Sequence, residues 1–88
     1  MEKEKGQPGR FPAAFRLDCS GHLCPVPILM AEEKIADLAP GSVLEVVFTD
    51  PGARPDLLAW CRSTGHECLG FKEGASRAAS AYIRKKKA

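Results

Sequence analysis

Apolar and polar positions along this chain change period several times, and each change marks an element. In "AFRLDC" they alternate, with Phe15 and Leu17 on one side and Arg16 and Asp18 on the other, which predicts a short strand. "SGH" breaks it. From Pro25 to Leu38 the apolar residues Ile28, Ala31, Ile35 and Leu38 recur at helical spacing, with Glu32, Glu33 and Asp37 on other faces. "APGS" ends that helix, because Pro40 cannot continue it and Gly41 supplies a turn. "SVLEVVFTD" is β-branched and alternating, with Leu44, Val46 and Phe48 on one face of a second strand.

"DPGARP" reads as a turn, and Pro55 suits the first position of a second helix. Leu57, Leu58 and Cys61 give that helix a buried stripe, Trp60 is expected to be partly buried, and Gly65 fits a left-handed cap. "HECLGFK" and "SRAASAYIRK" predict two more strands joined at "EGA", with Leu69 and Phe71 inward on one and Ala79, Ala81 and Ile83 on the other. The order β-α-β-α-β-β predicts an α/β (α+β) two-layer sandwich, a mixed four-stranded sheet carrying two helices on one face. Residues 1–13 hold Gly, Pro and charge without periodicity and are expected to form a disordered arm, leaving residues 14–85 as a single domain.

At 88 residues the chain suits one small domain. A net charge of +2 gives no ground for direct nucleic-acid binding, and the one basic run, "IRKKKA", is expected to be a solvated tail. No apolar run is long enough to span a membrane. The N-terminal charges have no apolar stretch behind them, so a cytoplasmic protein is expected, and its four cysteines point to free thiols, a metal site or thiol chemistry ahead of two disulfides.

The chemistry concentrates in "SGHLCPVP". Cys24 falls just before a helix whose first and third positions are predicted to be Pro25 and Pro27. Neither proline breaks the helix, since the first backbone N–H groups have no intrahelical partner; together they stiffen the turn and fix the direction of the sulfur. The positive end of the helix dipole favours an anion there, which predicts a thiol pKa below the ~8.5 of free cysteine. On composition and spacing alone, a cysteine that merely fills a pre-helix position explains the pattern as well.

The stretch from "LDCSGHLCPVP" through "TGHECLGF" resembles the TusA/SirA-like sulfur-carrier family, whose pattern is L-D-x-x-G-x-x-C-P-x-P with a D-P turn before the second helix. The resemblance covers roughly residues 15–84 and implies the same β-α-β-α-β-β fold. It implies that Cys24 carries sulfur as a persulfide, that Pro25 and Pro27 position the thiol, and that Gly21 and Asp18 support the motif. The implied donor is a cysteine desulfurase or a rhodanese, and the implied acceptor a DsrE-like or other sulfurtransferase. The family serves tRNA thiolation, molybdenum-cofactor supply, sulfur oxidation and selenium metabolism. Around "ARPDLL" the chain departs from the Arg-Asp pair common in the family: Asp56 falls at the acidic position, and Arg54 lies one place early.

Two other functions fit the residues. Cys19 and Cys24 could act as a thiol-disulfide redox pair, although Cys19 is better read as a small residue closing the first strand. Cys19, His22 and Cys24 with Cys61, His66 and Cys68 would suffice for a zinc-binding interaction domain. Against zinc, Cys61 lies on an apolar helix stripe and no C-x2-C knuckle occurs. With no metal expected, no cofactor motif and one good nucleophile, the chain reads as a carrier and not as a self-sufficient enzyme.

Overall fold

A computed structural model describes residues 13–74 and 76–87. The expected arm over residues 1–13 lies outside the described residues except for Ala13. The elements are β1 (Phe15–Asp18), α1 (Val26–Ile35), β2 (Val43–Phe48), α2 (Ala53–Thr64), β3 (Glu67–Glu73) and β4 (Ala79–Arg84). The sheet order is β1-β2-β4-β3; β1 and β2 run parallel, and the other two pairs are antiparallel. This is the expected mixed four-stranded sheet with both helices on one face.

Leu44, Val46 and Phe48 of β2 and Ala79, Ala81 and Ile83 of β4 face the helices. They pack on Ala31 and Ile35 of α1 and on Ala53, Leu57, Trp60 and Cys61 of α2. The two central strands are nearly continuous in their burial, whereas edge strand β1 is mostly exposed and edge strand β3 mostly half-buried. On the helix-free face, the Glu45 carboxylate accepts hydrogen bonds from Ser80 Oγ at 2.8 Å and Tyr82 OH at 3.2 Å.

Four details depart from the sequence reading. A bulge in β3 pairs Cys68 with Ile83 and Gly70 with Tyr82, so Leu69 is the extra residue. Cys68, not Leu69, therefore joins Phe71 against the core. Phe15 is 40% exposed, with the Lys34 ammonium 4.1 Å from its ring centre, while Leu17 packs on the core. Helix α2 begins two residues before Pro55, a position proline tolerates because the first-turn N–H groups lack helical acceptors.

The basic run is the fourth departure. Lys85 Nζ donates to the carbonyls of Ala36 and Leu38 at 3.2 and 2.6 Å, and Lys86 Nζ to that of Thr64 at 2.9 Å. Carbonyls left over where each helix ends thus gain cationic donors at the negative end of the dipole. Gly65 caps α2 as expected, at φ +93° with its N–H on the Cys61 carbonyl.

Candidate functional site

Because β1 and β2 are parallel, their C-terminal ends lie along the same edge, with Asp18 in register with Val47. The loop leaving β1 (residues 19–25) and the loop leaving β2 (residues 49–52) are therefore neighbours, and each leads into a helix. In parallel pairs this edge is where sites are commonly built.

Asp18 shapes the first loop. Its Oδ1 accepts the Ser20 N–H at 2.9 Å, and hydrogen bonding from Ser20 holds its carboxyl below the usual value. Gly21 sits at φ +82° and donates its N–H to Thr49 Oγ1 at 2.9 Å. A Cβ there would meet nothing within 4 Å, so the glycine answers to backbone conformation and not to space. Cys24 follows, its N–H held by Asp50 Oδ2 at 2.9 Å. Asp50 thus ties the two loops together.

Helix α1 starts one residue later than the spacing predicts. The cap position is Pro25, whose carbonyl accepts from Ile28 and Leu29 at 3.1 and 3.2 Å, and Pro27 is the second helical residue. The Cys24–Pro25 peptide is cis. The two prolines part company in burial: Pro25 is exposed, whereas the Pro27 ring is among the fully buried side chains. Pro27 is therefore a core residue as well as a turn residue.

The Cys24 sulfur meets α2. Its thiol donates to the Asp56 carboxylate, and Sγ lies 3.8 Å from the Gly52 carbonyl oxygen. Asp56 stands in the first turn of α2. The hydrogen bond to Asp56, with some burial and the charges of Asp56 and Asp50, pushes the thiol up to about 11 from 9.0. The helix-start argument predicted the opposite direction, and it loses on magnitude. An exposed helix terminus is worth roughly 0.3–1 kcal/mol, while a hydrogen bond to a charged group is worth about 1.5–3 kcal/mol. The contact with Asp56 therefore favours the protonated thiol.

The remaining cysteines are free as well. Cys19 is fully buried, with its N–H on the Val47 carbonyl at 2.7 Å, and burial raises its pKa. Pairing it with Cys24 would require it to leave the core. Cys61 is buried on α2, and burial first, then neighbouring Cys68, pushes it up to about 12. Cys68 is half-buried against the core and is likewise raised by burial. Among the described residues, no three His, Cys, Asp or Glu side chains come together to hold a metal ion. His22 is exposed in the β1–α1 loop.

Sequence reasoning missed the roles of Asp50 and Asp56. The Asp-Pro turn and the acidic position after Pro55 were visible, but nothing local shows which sulfur they face. The displaced Arg54 is occupied elsewhere: its guanidinium lies 4.5 Å from the Phe71 ring centre and pairs with Glu73 at 2.6 Å. In the same segment, Leu23, next to Cys24, and Leu29, in the first turns of α1, are 71% and 58% exposed.

Residues 15–85 match the family model described as sulfurtransferase TusA. The chain is 43% identical over 70 residues to the sulfur carrier protein TusA of Pseudomonas aeruginosa, covering 80% of this chain and 87% of that one. It is 48% identical over 58 residues to YrkF of Bacillus subtilis, covering 66% of this chain but 31% of YrkF. The crystal structure of a SirA-like protein from Desulfitobacterium hafniense superposes with a TM-score of 0.73 at 22% identity, over 83% of this chain and 99% of that one, which shows the shared fold.

Proposed function

Because this chain belongs to the TusA sulfurtransferase family, we propose that it accepts sulfane sulfur as a persulfide on Cys24 and relays it to an acceptor sulfurtransferase. The observation that carries this reading is the setting of Cys24. Its backbone is pinned by Asp50, its sulfur stands at the surface between two helix starts, and open apolar side chains flank it. A protein partner needs such a surface, whereas a small-molecule enzyme needs an enclosed pocket. Cys19 and Cys61, both buried, are poorly placed for transfer between proteins.

The donor is a cysteine desulfurase or a rhodanese, and the acceptor a DsrE-like or other sulfurtransferase. The pathway served is one of tRNA thiolation, cofactor biosynthesis or sulfur oxidation, and the setting is the cytoplasm. No helix among the described residues is long and apolar enough to cross a membrane. Gly21 and Asp18 support the reaction by shaping the loop, and Pro25 and Pro27 by fixing the helix start.

Incubation with a cysteine desulfurase, pyridoxal phosphate and L-cysteine should add the mass of one sulfur atom, removable by dithiothreitol. The added mass should map to the Cys24 peptide and vanish in Cys24→Ser, while Cys19→Ser still loads. Loading spread over several cysteines, or loading on Cys19 with Cys24 empty, would defeat the proposal.

A further inference from the structure

A nucleophilic cysteine is normally served by a cation near its sulfur, which stabilises the thiolate. Cys24 has the reverse. Its thiol donates to Asp56, its second neighbour is the Gly52 carbonyl oxygen, and the charge of Asp50 also acts on it. The nearby guanidinium offers no relief, because Arg54 is turned toward Phe71 and Glu73. All of these contacts stabilise the protonated sulfur and none stabilises a thiolate. They also orient it, since a thiol hydrogen bond to α2 draws Sγ into the gap between the starts of α1 and α2.

We infer that Asp56 is a positioning residue that holds the proton of the empty Cys24 thiol, keeping the sulfur turned toward α2 and unreactive until a persulfide donor docks over it. This deepens the carrier reading and rests on it for the identity of the donor. The step balances without any outside oxidant. A donor persulfide, R–S–SH, meets the thiol; a bond forms between Cys24 Sγ and the donor's outer sulfur while the donor's S–S bond breaks. The proton of Cys24 passes to the departing sulfur, giving Cys24–S–SH and R–SH. No atom changes hands except one sulfur, with its own proton, in one direction and the thiol proton in the other.

The loaded and empty states then differ in how Asp56 treats them. The outer sulfur lies about 2.05 Å beyond Sγ. Once ionised, it is an anion facing a carboxylate, so the contact that held the empty thiol repels the loaded group. The cargo is turned outward, toward an acceptor. Asp56 thereby separates two needs of a carrier, inertness when empty and availability when loaded.

The test uses the empty protein. Iodoacetamide alkylation of Cys24 is followed by peptide mass against pH in the native protein, Asp56→Asn and Asp56→Ala, with thermal melts to certify the fold of each. The native midpoint should lie well above 9.0, and both variants should move it toward 9.0. A fall from about 11 to 9.0 raises the thiolate fraction roughly a hundredfold at pH 7.5, and lower basicity takes back roughly tenfold, leaving ~10-fold faster alkylation. A native midpoint at or below 9.0, or superimposed profiles in native and variant proteins, would overturn the inference. No sulfur donor is involved, so a native protein that fails to load sulfur yet shows the shift in its variants sinks the carrier reading and leaves the hold of Asp56 on the thiol proton standing.

Discussion

Asp50 accepts the backbone N–H of Cys24 at 2.9 Å, a hydrogen bond between residues 26 apart in sequence that joins the two loops at the C-terminal edge of the parallel strands. Removing the carboxylate in Asp50→Ala leaves that N–H without its acceptor and lets the sulfur wander. The variant should lose about 1 kcal/mol in urea unfolding. Persulfide loading by a desulfurase should slow by on the order of tenfold or more, since small misplacements of reacting atoms cost that much. Loading at the native rate in a folded variant would show that Asp50 only stabilises the loop.

The two motif prolines should separate in a stability measurement. The Pro27 ring is fully buried, so Pro27→Ala removes apolar contacts and loosens the unfolded chain, for a loss of roughly 1–2 kcal/mol. The exposed Pro25 ring should contribute less to stability, and Pro25→Ala should act mainly on the rate of sulfur transfer. Equal urea midpoints for the two variants would contradict the difference in burial.

His66 makes the fold sensitive to acid. Its Nδ1 accepts the Lys86 N–H at 3.1 Å and its ring lies 5.2 Å from that of Trp60. Burial first, then the charges of Lys86 and Lys85, lower its pKa from 6.5. A lowered folded value means the unfolded chain binds the proton first as pH falls. The stabilisation is therefore complete above 6.5 and is lost as pH drops through the folded value. Urea midpoints taken at pH 7.5 and at pH 5 should differ more in the native protein than in His66→Asn, which retains an acceptor without titrating. Parallel curves would remove His66 from the account.

Lys85 fastens the chain end to α1 through the Ala36 and Leu38 carbonyls. Lys85→Met keeps the aliphatic stem and removes the donor, and should cost about 0.5–1.5 kcal/mol. The loss should appear as a lower thermal midpoint with sulfur loading unchanged, since Lys85 binds just past the end of α1 and Cys24 sits at its start. An unaltered midpoint would return the basic run to the status of a solvated tail.

Local pattern carried much of this protein. The alternation in "VLEVVF", the helical spacing of Ala31 and Ile35, and the glycine at position 65 specify elements through period, propensity and cap chemistry, all of which act within a few residues. Cys24 was legible for the same reason, since a thiol set against Pro25 and Pro27 is a local arrangement. Where the reading failed, a longer-range contact had decided. Leu69 lost its inward place to Cys68 because a bulge shifts the pairing of β3 with β4, and register is a property of two strands. The lysines near the end became helix caps because the last strand brings them back to carbonyls 22 to 49 residues away. The chemistry of the thiol itself was settled this way too. Sequence placed Cys24 at a helix start, which favours the thiolate; only the parallel pairing of β1 with β2 brings the first turn of α2 against it. Asp56, 32 residues distant, then holds the proton, because a direct hydrogen bond to a charge outweighs a dipole at an exposed helix end.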